Sequence, residues 1–254
     1  MDGEDLVETD LFKEPEDFYK EAPKPHFVKY NRKKDTSNNE IELRLVGSSP
    51  LWGHMLWNAG IYTAEYLDKH ADELVKGKKV LELGAAAALP SLICALNGCE
   101  KIVSTDYPDN DLIENIEYNF NHCKGIDRNR AKVAGYLWGS DVTPLFDAQG
   151  GQVKEEDKFD LLVLADLVFN HSEHRKLLKT CRESLKRTGS CLVVFTPHRP
   201  RLLDRDLDFF KLCEEYDLKA EQKDLDRWQP MFEEDEETTE IRSRIYCYHL
   251  VPTW

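Results

Sequence analysis

Val80-Leu81-Glu82-Leu83-Gly84-Ala85-Ala86-Ala87-Ala88-Leu89-Pro90-Ser91-Leu92 is the stretch whose reading decides the fold. Apolar Val80, Leu81 and Leu83 make a short buried strand of Lys78 to Leu83, with Glu82 near its end. Gly84 permits a sharp exit. Ala85 to Ala88 carry small side chains, so backbone can approach a ligand and the next helix can lie close to the sheet. Leu89, Leu92, Ile93 and Leu96 then recur at helical spacing. Strand, small-residue turn and helix open a nucleotide-binding βαβ unit. A second strand, Lys101 to Thr105, ends at Asp106, 22 residues after Gly84. That is close to the ~20 at which a carboxylate meets ribose hydroxyls. The plainer reading is a tight turn in an α/β core; Asp106 tips the balance towards a nucleoside cofactor. Ala86 and Ala88 stand where such loops usually carry glycine. Alanine takes positive φ less cheaply than glycine, so the loop is expected to keep mostly ordinary φ/ψ values.

Working outward, residues 1–25 are acidic and Pro-containing and read as an extended arm, which Leu11, Phe12, Phe18 and Tyr19 can dock. His26–Tyr30 and Ile41–Val46 alternate as two strands. Met55, Leu56, Ala59, Tyr62 and Tyr66 share one helical face, and Trp52 and Trp57 read as core residues. Beyond Asp106, a helix is expected from about Asp109 to His122, with Leu112, Ile113, Ile116 and Phe120 as its stripe. Ala131–Trp138 reads as the third strand and 143–157 as a polar loop. Phe159–Ala165 is apolar throughout, as in a parallel strand covered on both faces. It stops at Asp166, and a loop runs to His171. A helix through Leu177, Leu178, Cys181 and Leu185 follows, then a strand, Ser190–Thr196, closed by Pro197-His198-Arg199-Pro200. A helix through Leu203, Leu207, Phe210 and Cys213 comes next. A weak edge strand over Leu218–Leu225, an acidic loop over Glu233–Glu240 and a last strand over Ile241–Val251 complete the chain.

The alternation predicts an α/β, Rossmann-like fold. Its seven-stranded, mostly parallel sheet would carry helices on both faces and an antiparallel C-terminal strand. Residues 1–45 would be an N-terminal arm and β extension, and 46–254 the ligand-binding domain. Ligands of such sheets lie beyond the carboxyl ends of the strands. Gly84, Asp106, Trp138, Asp166 and His198 all fall there.

A net charge of −14 argues against nucleic acid held on the general surface. It suits a basic protein or peptide partner. Seven cysteines, an odd number with no CxxC pair, read as reduced thiols. No apolar run reaches the ~20 residues of a membrane span, and the acidic N-terminus lacks a secretory signal. A cytoplasmic protein is expected. His171 and His174 are three apart, but no third ligand is placed beside them, so no metal is expected.

An alanine-filled loop followed closely by aromatics suits a cofactor without phosphates better than a dinucleotide. S-adenosylmethionine fits: Asp106 for the ribose hydroxyls, Trp138 for the adenine, the Gly84 turn for the methionine end. ELGAAAALPSL (82–92), LWNAG (56–60), TDYPD (105–109), GYLWG (135–139) and DLVFNH (166–171), in that order, resemble the seven-β-strand methyltransferases of the family-16 lysine methyltransferase group. EPEDF (14–18), VGSSPLWGH (46–54), PHRP (197–200) and MFEEDEET (231–238) are similar to its branch acting on translation elongation factor 1-alpha.

A monomer is expected, and the resemblance implies a protein substrate, the N-terminal segment of that factor, methylated at the terminal glycine and adjacent lysine. It also implies cofactor contacts from Trp57, Gly84, Ala85, Ala86, Asp106, Trp138 and Ala165. The family's D-x-x-Y is Asp166-Leu167-Val168-Phe169 here, so the tyrosine hydroxyl is absent. Asp166 can accept a hydrogen bond from the amine, and Phe169 can stabilise the methylated cation. Roughly a third of an α-amine is neutral near pH 7.4, against about 0.1% of a lysine amine, so the terminus is the easier first target. His198 reads either as a loop histidine with a structural hydrogen bond or as a proton acceptor. A small-molecule methyltransferase, a non-catalytic scaffold and a nucleotide-dependent oxidoreductase remain the alternatives.

Overall fold

The computed structural model describes residues 23–34, 39–232 and 236–254. The expected docking residues of the arm, Leu11, Phe12, Phe18 and Tyr19, lie outside them.

A hairpin of β1 (His26–Asn31) and β2 (Glu40–Leu45) comes first. Then α1 (Asn58–Lys69), α2 (Ala71–Leu74) and β3 (Lys79–Leu83) lead to α3 (Leu89–Leu96) and β4 (Lys101–Asp106). The chain continues through α4 (Asn110–His122), β5 (Ala131–Gly135), α5 (Thr143–Gln149), β6 (Phe159–Ala165) and α6 (His174–Ser184). It ends with β7 (Leu185–Phe195), α7 (Leu203–Leu212), β8 (Leu218–Arg227), α8 (Glu236–Arg242) and β9 (Arg244–Pro252).

The main sheet has seven strands in the order β5-β4-β3-β6-β7-β9-β8. β3 to β7 pair in parallel, and β9 runs antiparallel to both of its neighbours. From β3 the chain winds outward through β4 to β5, then returns to β6 on the other side. The order therefore reverses between β3 and β6, which is where open α/β sheets form their ligand crevice.

Period-two alternation sends successive side chains to opposite faces. Val80, Ile102, Leu161, Val163, Leu192 and Val194 pack with α1, α3 and α4. Leu81, Leu83, Val103, Leu162, Leu164 and Val193 pack with α5, α6 and α7 on the other face. Leu161 to Leu164 are at most 1% exposed, so β6 is buried on both sides.

Polar ties bring the hairpin onto this body. Arg32 grips buried Asp68 through two hydrogen bonds of 2.9 and 2.6 Å, and Asn97 adds a third at 2.7 Å. Asn119 of α4 accepts from the Arg44 backbone N–H at 2.7 Å and donates to the Ala87 carbonyl at 3.0 Å. One amide thus joins the hairpin, a helix and the alanine loop.

Five boundaries differ from expectation. Residues 143–149 are helical rather than loop. Pro144 in the first turn and Gly150 in the left-handed region at its end are ordinary start and stop signals, and Leu145 and Phe146 are buried. The acidic segment read as loop is helical over 236–242. α1 starts at Asn58, so Met55 and Leu56 precede it. β5 ends at Gly135, three residues before Trp138. β7 begins at Leu185, directly after α6: Leu185 pairs with Phe159, and the register then shifts so that pairing resumes at Ser190 opposite Leu161.

Candidate active site

Gly84 leaves β3 at φ 63°. A Cβ there would lie 2.5 Å from Leu167 Cδ2 and 3.3 Å from Trp138 Cζ2. Ala86 and Ala88 also have positive φ, 49° and 60°, against the expectation of ordinary angles. A left-handed alanine costs about 1–2 kcal/mol, and surrounding bonds hold the loop in place. Ala85 N–H donates to the Thr105 carbonyl at 2.9 Å, Ala86 N–H to Asp106 Oδ2 at 2.8 Å, and Ala88 N–H to the Ala85 carbonyl at 2.6 Å. Gly84→Ala is expected to cost about 1–3 kcal/mol in urea unfolding through its backbone angle and the clash. Ala86→Gly should stay within about 1 kcal/mol, since relieved strain offsets glycine's entropy.

Glu82 is the important residue not singled out from the sequence. It is 1% exposed, and its Oε2 accepts from the Ser91 backbone N–H at 2.9 Å and from the Ser91 hydroxyl. A carboxyl group therefore closes the N-terminus of α3. Burial pushes its pKa up to about 8, against the pull of the Ser91 hydrogen bonds. A raised folded-state pKa means that the native protein holds the proton longer than the unfolded chain. The stabilising contribution is present below about pH 4.3 and is lost as pH rises towards about 8. Stability should fall across that window by up to about 1.4 kcal/mol per pH unit, and Glu82→Gln should flatten the slope in denaturant titrations.

The consequence for ligands is direct. The N–H groups of Ala85, Ala86, Ala88 and Ser91 are already bonded within the protein. A phosphate-binding loop needs such donors free. The small-residue turn suits a ligand held by close contact and by carboxylate, not by phosphate.

That ligand has a cavity of about 510 Å³ over the β3–β6 crevice. Ligand sites typically span ~300–1,000 Å³. Trp57, Gly84, Ala86, Asp106, Trp138 and Ala165 all line it. Ala85 lies behind the loop, facing a small recess beside Glu82 and Pro90. Asp106 accepts from Ala86 N–H and, at 2.7 Å, from Tyr107 N–H. Burial raises its pKa, and the two backbone N–H groups oppose the shift. Each oxygen keeps a second lone pair for a ligand hydroxyl. Trp138 supplies a flat apolar wall. The residues therefore fit an adenosine with a small amino-acid end.

A second cavity of about 380 Å³ adjoins the first. Trp52, Trp57, Phe169 and Phe232 form its aromatic walls, with Asp166, His198 and Arg199 between them. Trp52, Trp57, Asp166, Phe169 and Arg199 line both cavities. Trp57 and Trp52 are thus site residues rather than plain core: Trp52 is 50% exposed, at φ 64°, and its carbonyl accepts from Trp57 Nε1–H at 3.0 Å.

Asp166 sits at the junction. It is 7% exposed, its backbone is left-handed at φ 59°, and its N–H donates to the Val194 carbonyl at 2.7 Å. His198 Nε2 lies 2.7 Å from Asp166 Oδ2 and 2.8 Å from Thr196 Oγ1. The His198 ring meets Trp57 edge-on, with centroids 4.7 Å apart. Burial pulls the His198 pKa down, but the charge and hydrogen bond of Asp166 outweigh it and the net shift is upward.

His171 and His174 do not act together. His171 Nε2 bonds Asp206 at 2.6 Å and His174 Nε2 the Val168 carbonyl at 2.6 Å. Among the described residues, no cluster of His, Cys, Asp or Glu could hold a metal.

Two joined cavities, one that fits a nucleoside and one aromatic, lie beyond the carboxyl edge of a Rossmann-like sheet. Solved structures share this fold. P. horikoshii TYW2 in complex with MeSAdo gives a TM-score of 0.54 at 14% identity, over 85% of this chain and 70% of that one. The tRNA (uracil-54, C5)-methyltransferase of Pyrococcus abyssi, in complex with S-adenosyl-L-homocysteine, gives 0.52 at 16%, over 89% and 44%.

The lysine methyltransferase family matches residues 37–216, and the chain belongs to that family. It is accordingly an S-adenosylmethionine-dependent methyltransferase. Protein N-terminal and lysine N-methyltransferase EFM7 of Debaryomyces hansenii is 59% identical over 254 residues, covering 100% of both chains. The protein of the same description from Schizosaccharomyces pombe is 42% identical over 253 residues, covering 98% of each.

Proposed function

We propose that the enzyme methylates the N-terminal amine and the adjacent lysine of translation elongation factor 1-alpha, in the cytoplasm. The meeting of the two cavities at Asp166 carries this reading. The cofactor's sulfonium supplies an electrophilic methyl group. Asp106, Trp138 and the Gly84 turn would hold it in the larger cavity. Trp57 and Phe169, on both cavity walls, narrow the passage and exclude water. Asp166 sets the polar side of the passage, where the entering amine aligns for in-line attack. The aromatic walls stabilise the cationic product, and desolvation there lowers the pKa of an entering lysine.

The printed descriptions of the relatives, protein N-terminal and lysine N-methyltransferase, support the choice of amines. The similarity at 14–18, 46–54, 197–200 and 231–238 supports the choice of substrate. The net charge of −14 favours a basic N-terminal segment.

Mass spectrometry of the factor's N-terminal peptide, with and without enzyme and cofactor, tests the reading. Added methyl masses on the terminal residue and its neighbour are expected. An unmodified peptide, or label recovered only in small molecules, would overturn it.

A further inference from the structure

We propose that His198 is the general base of this site, taking through Nδ1 the proton that the acceptor ammonium must lose before it can attack. The inference deepens the amine-methylation reading above and rests on it.

Among the described residues lining the aromatic cavity, only Asp166 and His198 can accept a proton, because Arg199 stays charged. Asp166 and Thr196 both meet the ring at Nε2. A carboxylate at 2.7 Å places a proton on Nε2, which leaves the lone pair of the neutral ring on Nδ1. Asp166 thus orients the tautomer, as the acid of a catalytic triad does. Its own geometry is built for this: the left-handed turn at φ 59° and the Thr196 contacts hold a buried carboxylate at one place.

The step balances simply. An N–H bond of the ammonium breaks, its electron pair stays on nitrogen, and the proton bonds to Nδ1. The imidazolium formed is stabilised by Asp166. The His198 side chain is 20% exposed, so the proton can pass to water. Each methylated amine that still carries a proton can repeat the step.

Among the described residues, the charged groups around the ring come from four segments. Asp166 follows β6, Asp206 lies in α7, Arg242 of α8 donates to the His198 carbonyl, and Arg199 is next in the chain. The two acids favour the imidazolium and Arg242 opposes it. The net upward shift brings the base nearer to an α-amine, whose ordinary pKa is about 7.7–8.0, and a matched pair transfers protons efficiently.

His198→Gln and His198→Asn test the idea against the wild type, using the elongation-factor peptide. Turnover is measured from pH 6 to 9.5, cofactor affinity by calorimetry and folding by thermal melting. At pH 7 both variants should lose turnover by about tenfold or more. Their cofactor affinity and melting should hold, and the deficit should shrink as pH rises and the free amine supplies itself.

Variants that follow the wild-type pH profile would overturn the proposal, as would a deficit of constant size at every pH. A wild-type enzyme that leaves the peptide unmethylated strikes the substrate reading instead, so the two failures are distinct. NMR titration of the His198 ring in wild type and Asp166→Asn reads the coupling without any substrate: the variant should titrate at lower pH, and an unchanged midpoint would count against the pair.

Discussion

Asp166→Asn should lower turnover about a hundredfold or more while cofactor affinity changes by no more than about threefold. Asparagine tolerates the left-handed backbone that Asp166 adopts at φ 59°, so the turn should survive. What is lost is charge and tautomer control. The amide can offer an N–H where the carboxylate offered only acceptors, and His198 Nε2 can then become the acceptor. The lone pair moves away from Nδ1, so the ring can no longer take the proton of the amine there. General acid–base contributions of ~100- to 10,000-fold set the scale. Steady-state kinetics of peptide methylation alongside calorimetry with the cofactor separates the two quantities. A large fall in cofactor affinity with turnover preserved would move Asp166 out of the acceptor site and into the cofactor site.

Asp106→Ala should have the opposite signature. Hydrogen bonds to a charged group contribute about 1.5–3 kcal/mol, so cofactor binding should weaken roughly 10- to 100-fold. The loop also suffers, because Ala86 and Tyr107 each lose the acceptor of their backbone N–H. Each orphaned donor costs about 1–3 kcal/mol if water cannot reach it. The positive φ of Ala86 removes any margin for the loop to relax. Asp106→Asn keeps one acceptor oxygen and should fall between wild type and alanine. Calorimetry on folded variants gives the affinity and urea unfolding the stability. Wild-type affinity in Asp106→Ala would remove the ribose assignment.

Much of the site could be read along the chain. Gly84, Asp106 and Asp166 are local features: a small residue or an acid at the end of an apolar strand. Strand ends in a parallel sheet converge, so naming the ends named the crevice. Trp138 lines it although β5 stops at Gly135, because the turn after the strand still lies over the carboxyl edge. Glu82 is not legible along the chain, since a lone acid near a strand end has no local mark; only its hydrogen bonds to Ser91 of α3 reveal it. Ala86 and Ala88 misled for a related reason. Residue preference argues against positive φ, but Thr105 and Asp106 of β4 and Asn119 of α4 hold the loop from two separate segments.

The sequence alone determined the α/β alternation, the mostly parallel sheet and the end at which ligand binds. These follow from periodicities of two and 3.6 residues and from where apolar runs stop, all within a few neighbours. The tertiary structure decided that Trp52, Trp57, Phe169, His198 and Phe232 share one cavity. It also decided which nitrogen of His198 faces a carboxylate and which way buried acids shift their pKa. Those properties depend on distance and desolvation between residues up to 180 positions apart, Trp52 and Phe232 among them, and no local pattern encodes them.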